Sequence, residues 1–357
     1  MNSPASTKGR GTATNLDNRY AQWARESVDD GWDIPEEAPP SATRLSEDTA
    51  KSVIARNESP DLPFDRSINP YRGCEHGCIY CYARPSHAWL GLSPGLDFET
   101  RISWKPDAAK RLREELTKPA YRNAPITPIA LGVNTDAWQP AERKLRVTRE
   151  ILEVLAETNH PVTVITKSAL VLRDLDILAP MAAANLAQVA VSITTLDADL
   201  ARKLEPRAAA PHRRLEMLTA MREAGIDPMV MVAPIIPALT DHEPEAILEA
   251  VAATGTRHAA YVLLRLPLEV DPLFQQWLET HVPGRAAHVM SLLRQMRAGR
   301  DNDTRFGHRM KGEGPLAQLL RQRFVLAKKK LGMEIPLPPL DCSRFRPPTL
   351  DGQQSLF

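Results

Sequence analysis

The chain has 357 residues and a mass of 39.6 kDa, of which 43% are hydrophobic and 25% charged. This is an ordinary globular composition with enough length to bury a large core, and it excludes fibrous and wholly disordered classes. The net charge of +1 hides an asymmetry: residues 1–65 carry 7 Lys and Arg against 12 Asp and Glu, whereas residues 285–346 carry 14 against 5. Residues 1–63 are polar and proline-dotted, and predict a partly disordered lead-in lying over the main domain. Within residues 64–267, β-branched runs at 67–72, 127–134, 162–167, 188–194, 228–235 and 260–264 alternate with helical patterns at 108–117, 141–157, 170–184, 212–224 and 243–253. Gly225, just after the apolar trio Met217, Leu218 and Met221, predicts a helix stop. Strand–helix alternation implies parallel pairing with right-handed crossovers. Six strands are too few for a closed eight-stranded barrel, so an open, curved α/β sheet is expected. Residues 268–335 read as a basic helical extension, with helices at 283–297 and 315–332. The tail, 336–357, is proline-rich and reads as extended.

The most apolar stretch, residues 228–239, is short and carries Pro228, Pro234 and Pro237, so no membrane span is expected. The N-terminal residues lack an apolar signal core, and a cytoplasmic location is expected. The basic block at 285–346 suggests a phosphate-bearing partner. Its alternative is that Arg294, Arg297, Arg321, Lys328, Lys329 and Lys330 are solvated helix faces.

Three of the four cysteines, Cys74, Cys78 and Cys81, fall within eight residues, spaced C-x3-C-x2-C at the end of the first predicted core strand. Open α/β sheets place ligand sites at such strand ends. Clustering of this kind in a chain without an export signal reads as metal ligation. Gly73 and Gly77 let the backbone wrap tightly. Iron–sulfur clusters normally take four cysteines, so a triplet leaves one iron open. The competing reading is a zinc site completed by His76 or by Cys342 returning from the tail, but structural zinc usually draws on two separated pairs of ligands.

The run NPYRGCEHGCIYCYAR, with Tyr80 as the aromatic of C-x3-C-x-aromatic-C, resembles the signature of the radical S-adenosylmethionine (SAM) enzymes. Together with GVNTDAWQP further on, it is similar to the branch that contains spore photoproduct lyase. The resemblance implies an open partial (β/α)6 barrel with a helical C-terminal extension. It implies a [4Fe-4S] cluster on Cys74, Cys78 and Cys81 whose unique iron binds SAM, and an electron donor to reduce it. Reductive cleavage then gives a 5′-deoxyadenosyl radical that takes a hydrogen atom from substrate. By the same resemblance, Thr135 and Asp136 would meet the methionine amino group and Ser192 the ribose or carboxylate. Glu205 would take the ribose hydroxyls and Arg214 the carboxylate. Thr135 and Asp136 are otherwise helix-capping residues, and Glu205 and Arg214 are otherwise an ion pair.

In spore photoproduct lyase a cysteine downstream of the cluster loop returns a hydrogen atom to the product. Here no cysteine lies between Cys81 and Cys342, so that role would fall to Cys342 if the tail crossed the pocket mouth. Tyr71, Tyr80 and Tyr82 flank the loop as relay candidates or as packing. No substrate-side catalytic residue is singled out. The chain ends in Gln353, Gln354, Ser355, Leu356 and Phe357, which resembles the pentapeptide by which bacterial repair and replication proteins dock on the sliding clamp. The expectation is therefore a radical SAM enzyme acting on DNA or another nucleic acid. The alternatives are modification of tRNA, a peptide or a small molecule, or a clamp-tethered module with a structural cluster.

Overall fold

A computed structural model of the chain describes residues 9–20 and 42–348. Its ten strands are β1 (Arg44–Glu47), β2 (Ile54–Arg56), β3 (Arg66–Ile68), β4 (Tyr71–Arg72), β5 (Arg101–Trp104), β6 (Ile129–Leu131), β7 (Val162–Thr166), β8 (Ala187–Ile193), β9 (Met229–Ile235) and β10 (His258–Leu263). Six of them, β3 and β6 to β10, lie side by side in chain order and parallel, with β2 antiparallel on the outer edge of β3. These six are the core strands the sequence predicts. Monotonic order with right-handed crossovers puts every connecting helix on one face and curls the sheet away from them. The result is an open partial barrel whose strands end at a common mouth.

Strands β6 and β8 are buried on both faces: Ile129, Ala130 and Leu131 are all buried, as is every residue from Val189 to Ile193. Outside them, Ile151, Leu155, Leu178, Met217, Leu218, Ile247 and Leu248 complete the main core. Helix Pro211–Glu223 ends at Gly225 (φ +82°), where Gly225 N–H donates to Arg222 and Ile226 N–H to Met221, closing a Schellman cap.

The sheet edges do not pair with each other. Leu263 N–H donates to Met310 in a turn that packs against β10, and Arg309 of that turn pairs with Asp61, which follows β2. A side-chain bridge thus spans the gap where a closed barrel would have a ladder. A second cluster, including Ile79, Leu204, Leu266, Phe274, Trp277 and Leu293, joins the cysteine loop to helices Val270–His281 and Pro283–Gln295.

Three features depart from expectation. The lead-in carries β1 and β2, and β1 joins β5 and β4 in a small separate sheet. Part of the basic block is spent within the fold. Arg297 is buried against the carbonyls of Leu263, Leu264, His308 and Arg309, Arg305 pairs with Asp303 and Glu313, Arg323 pairs with Glu245, and Lys328 donates to Ala259. The tail runs under the opposite end of the barrel, where Asp341 N–H donates to Asn185, Arg346 N–H to Thr158, and Phe345 packs on His160. Thr158 and Asn185 precede β7 and β8, so Cys342 sits at the far ends of the strands from the cysteine loop. It is neither a fourth ligand nor a hydrogen donor at the mouth.

Candidate active site

The chain leaves β3, makes β4 and turns at Gly73 (φ +81°), where a Cβ would stand 2.8 Å from the Phe98 carbonyl. Successive turns, Gly77 N–H to Cys74, Cys81 N–H to Cys78 and Arg84 N–H to Cys81, then coil the three cysteines around one space. The loop is bonded on every side. Ile79 N–H donates to Leu204, Arg207 N–H to the His76 carbonyl, and Glu75 N–H to Gln139. Beneath it the fully buried Arg84 donates to the Cys78 carbonyl and pairs with buried Glu99 at 2.6 Å.

Cys74 is buried, and Cys78 and Cys81 are partly open. Burial pushes all three thiol pKa values up. Asp136 and the other two thiols add to this at Cys74, while Lys167 opposes it at Cys78 and Cys81. Three thiolates that repel one another in a poorly solvated nest need a strongly cationic group to ionise together. Among the described residues no three Cys, His, Asp or Glu side chains converge on a single ion. His76 faces Asp136 through Nδ1 at 3.4 Å and belongs to no such group, and Cys342 lies at the other end of the barrel, so the zinc reading finds no fourth ligand among the described residues. The donor set instead fits a multi-iron cluster held by three thiolates.

The predicted SAM contacts gather under this loop, but mostly as its supports. Thr135 donates to the Gly73 carbonyl at 2.6 Å and accepts from Gln139. Asp136 accepts from Thr166 Oγ1, Lys167 N–H and Trp138 N–H and faces His76. Against the effect of burial, His76 and these bonds hold its carboxyl down at about 2. The Arg214 guanidinium is spent on Ala209 O, Ser192 O and Glu205, and Glu205 also accepts from Tyr80 and Thr194. Arg214 thus directs three of its five N–H groups into the protein, and Glu205 already accepts from three side chains. Together they form one buried network joining β8 to the aromatic of the cysteine motif. Ser192 is buried on β8 and offers its carbonyl to Arg214.

One residue that sequence reasoning missed is Lys167, whose ammonium lies 5.7 Å from the centroid of the Tyr80 ring. Its position directly after β7, at the ligand end of a core strand, was the available signal. Gln139, Arg84 and Glu99 were missed because buried polar supports leave no pattern in a single sequence.

The fold and site define a partial β/α barrel that carries a three-cysteine cluster nest at the C-terminal ends of its strands. The family model of the radical SAM superfamily matches residues 68–251, just over half of the chain, and the chain belongs to that superfamily. Its cofactors are accordingly a [4Fe-4S] cluster and SAM. An uncharacterised protein of Mycobacterium tuberculosis is 34% identical over 296 residues, covering 77% of this chain and 86% of the relative. An uncharacterised protein of Methanocaldococcus jannaschii is 28% identical over 234 residues, covering 66% and 82%. Among solved structures, a tyrosine-to-phenylalanine variant of spore photoproduct lyase superposes with a TM-score of 0.59 at 16% identity, covering 81% of this chain and 80% of that one. Spore photoproduct lyase complexed with dinucleoside spore photoproduct gives 0.58 at 16%, covering 80% and 79%. These superpositions establish the shared fold. Among the described residues no helix is long and apolar enough to cross a membrane.

Proposed function

We propose that this radical SAM enzyme abstracts a hydrogen atom from a nucleic acid, with DNA as the favoured substrate. The observation that carries the nucleic-acid reading is a cavity of about 580 Å³ alongside the cysteine loop. Arg143, Lys144 and Arg207 line it against a single acid, Glu75, which is already paired with Arg207. A groove with surplus positive charge suits a phosphate backbone. The solved lyase bound to a dinucleoside supports the same substrate class.

When bound, the cluster and SAM supply one-electron cleavage of the sulfonium and, from it, hydrogen-atom abstraction. The chain's own residues set the conditions. Cys74, Cys78 and Cys81 would hold three irons. Lys167 brings positive charge to the side of Cys78 and Cys81, where the methionine carboxylate of SAM would find a partner. The Tyr80–Glu205–Arg214 network fixes the loop and, being buried, keeps water from its inner side. Because no thiol other than the three ligands stands at the mouth, the reading departs from a thiol-terminated reversal of a thymine lesion. A lyase or a transferase outcome is distinguished by the product.

The test is anaerobic reconstitution followed by reduction, measuring iron per chain, 5′-deoxyadenosine, and deuterium carried into it from labelled DNA. Deuterium in 5′-deoxyadenosine supports the reading. Transfer only from labelled tRNA, peptide or small molecule replaces the substrate, and no SAM cleavage at all favours a structural cluster. The terminal residues Gln353, Leu356 and Phe357 lie outside the described residues, and we propose that they dock the enzyme on the sliding clamp. A synthetic tail peptide should bind the clamp and its Phe357→Ala version should not; equal binding of both would dismiss the docking.

A further inference from the structure

Two residues beyond the end of β10, the guanidinium of Arg265 lies 5.9 Å from the centroid of the Tyr82 ring. Tyr82 directly follows the third cysteine, donates its hydroxyl to the Val133 carbonyl beyond β6, and remains 51% exposed. Arg265 therefore stands over the mouth, one residue removed from Cys81. Unlike its neighbours it has no oxygen partner among the described residues. Arg297 directs both of its terminal nitrogens to backbone carbonyls and Arg309 pairs with Asp61, whereas the hydrogen bond of Arg265 is to the Met310 sulfur, at 3.7 Å; its Nε, like that of Arg297, is buried without a partner among the described residues.

A half-buried guanidinium with an unsatisfied donor calls for an explanation. Burial, and then repulsion from Arg309, weaken its hold on the proton more than Asp61, already paired with Arg309, strengthens it. The planar fork of arginine matches the geometry of a phosphate. Flat apolar surface lies close by in the Tyr82 ring, 51% exposed. Nucleotides are commonly held by such a pairing of cation and aromatic ring.

We propose that Arg265 is a phosphate-recognition residue of the substrate site, forming a two-pronged contact with one backbone phosphate and so holding the adjoining nucleotide against Tyr82 beside the cluster. This rests on the nucleic-acid reading above and names its recognition element.

The experiment uses the reconstituted protein under anaerobic conditions and a short single-stranded DNA in which one phosphate at a time is replaced by an uncharged methylphosphonate. With the native protein, one linkage should stand out by a loss of about tenfold or more. Arg265→Gln should bind the unmodified strand about ten- to hundredfold more weakly, with a salt slope lower by about one, and should be indifferent to that linkage. Arg265→Lys keeps the charge without the fork, so the salt slope should persist while the linkage penalty shrinks; this comparison decides the matter if the glutamine variant does not fold. An identical linkage penalty in native and variant proteins overturns the assignment while leaving the nucleic-acid reading intact. So does a loss of SAM affinity with the linkage profile unchanged, which would give Arg265 to the cofactor carboxylate. A native protein that binds no DNA overturns both.

Discussion

Three of the N–H groups of Arg214 are directed to two carbonyls and to Glu205, and the pair is almost completely buried. Burial raises the Glu205 pKa, and Arg214 is the largest influence holding it back. Removing the guanidinium while leaving the carboxylate is therefore the damaging change. Arg214→Met should cost about 3–5 kcal/mol, the range for stranding one member of a buried ion pair. Arg214→Met combined with Glu205→Gln should recover part of that loss. Urea unfolding of the iron-free protein measures both, and a double variant no better than the single one would show that the two charges are not coupled. The residue types were legible in the sequence, although Glu205 closes the helix that follows β8 and Arg214 lies in the helix after that. Their partners were not, because whether they face a ligand or each other depends on a separation that only the folded backbone sets.

The element that closes the outer side of the cysteine loop comes from the chain's beginning. Gly11 and Thr12 donate their N–H groups to Glu99, the same carboxylate that Arg84 holds. A Cβ on Gly11 would stand 1.8 Å from the Gly77 carbonyl. The strap thus crosses the loop at backbone contact, between His76 and Cys78, and shields it from solvent. Gly11→Val should push the strap away and let oxygen reach the cluster. The expected outcome is faster bleaching of the cluster's visible absorbance in air, with an unchanged iron content before exposure; bleaching at the native rate would show that the strap does not seal the loop. Nothing in GRGTATN distinguished this segment from a loose lead-in, because its role lies in contacts with residues nearly ninety positions away.

At the other end of the barrel, His160 is fully buried, its Nδ1–H donating to the Pro161 carbonyl and its Nε2 accepting from the Tyr121 hydroxyl, with Phe345 of the tail against its ring. Burial drops its pKa from 6.5 to about 4. The unfolded chain therefore binds a proton that the folded one refuses between those values. Stability from this group is complete above the unfolded pKa and declines as pH falls from about 6.5 to 4, by up to roughly 3 kcal/mol at about 1.4 kcal/mol per unit. His160→Gln should flatten that part of the stability–pH curve. An unchanged slope would assign the acid sensitivity to another group, such as His87, which burial lowers in the same way.

Across the whole molecule, the six-strand parallel order was legible because each core strand is a short β-branched run separated by a helix of sufficient length. The small sheet of β1, β4 and β5 was not, since its strands have two to four residues and β1 is exposed along its whole length, leaving no alternation to read. Helix Val270–His281 was missed for a different reason: Pro272, in its first turn, reads as a breaker in sequence, though the first turn is where proline is tolerated.

The path of the tail has the largest consequence at this scale, because it decides where the only cysteine outside the loop resides. Parallel strands impose a polarity on the barrel: the cluster loop follows the C-terminal end of the first core strand, whereas the tail bonds to residues preceding β7 and β8. A strand of five to seven residues, at about 3.3 Å per residue, separates the two ends by roughly 16–23 Å, far beyond contact distance for a hydrogen-atom transfer. Cys342→Ser should therefore leave SAM cleavage, deuterium transfer and product identity as in the native enzyme. A variant that still cleaves SAM but releases altered or unquenched product would mean that the tail leaves its place under the barrel and reaches the mouth during turnover. With unchanged product, the hydrogen that completes the reaction must come from a group other than a cysteine thiol, or the radical must return to the cofactor.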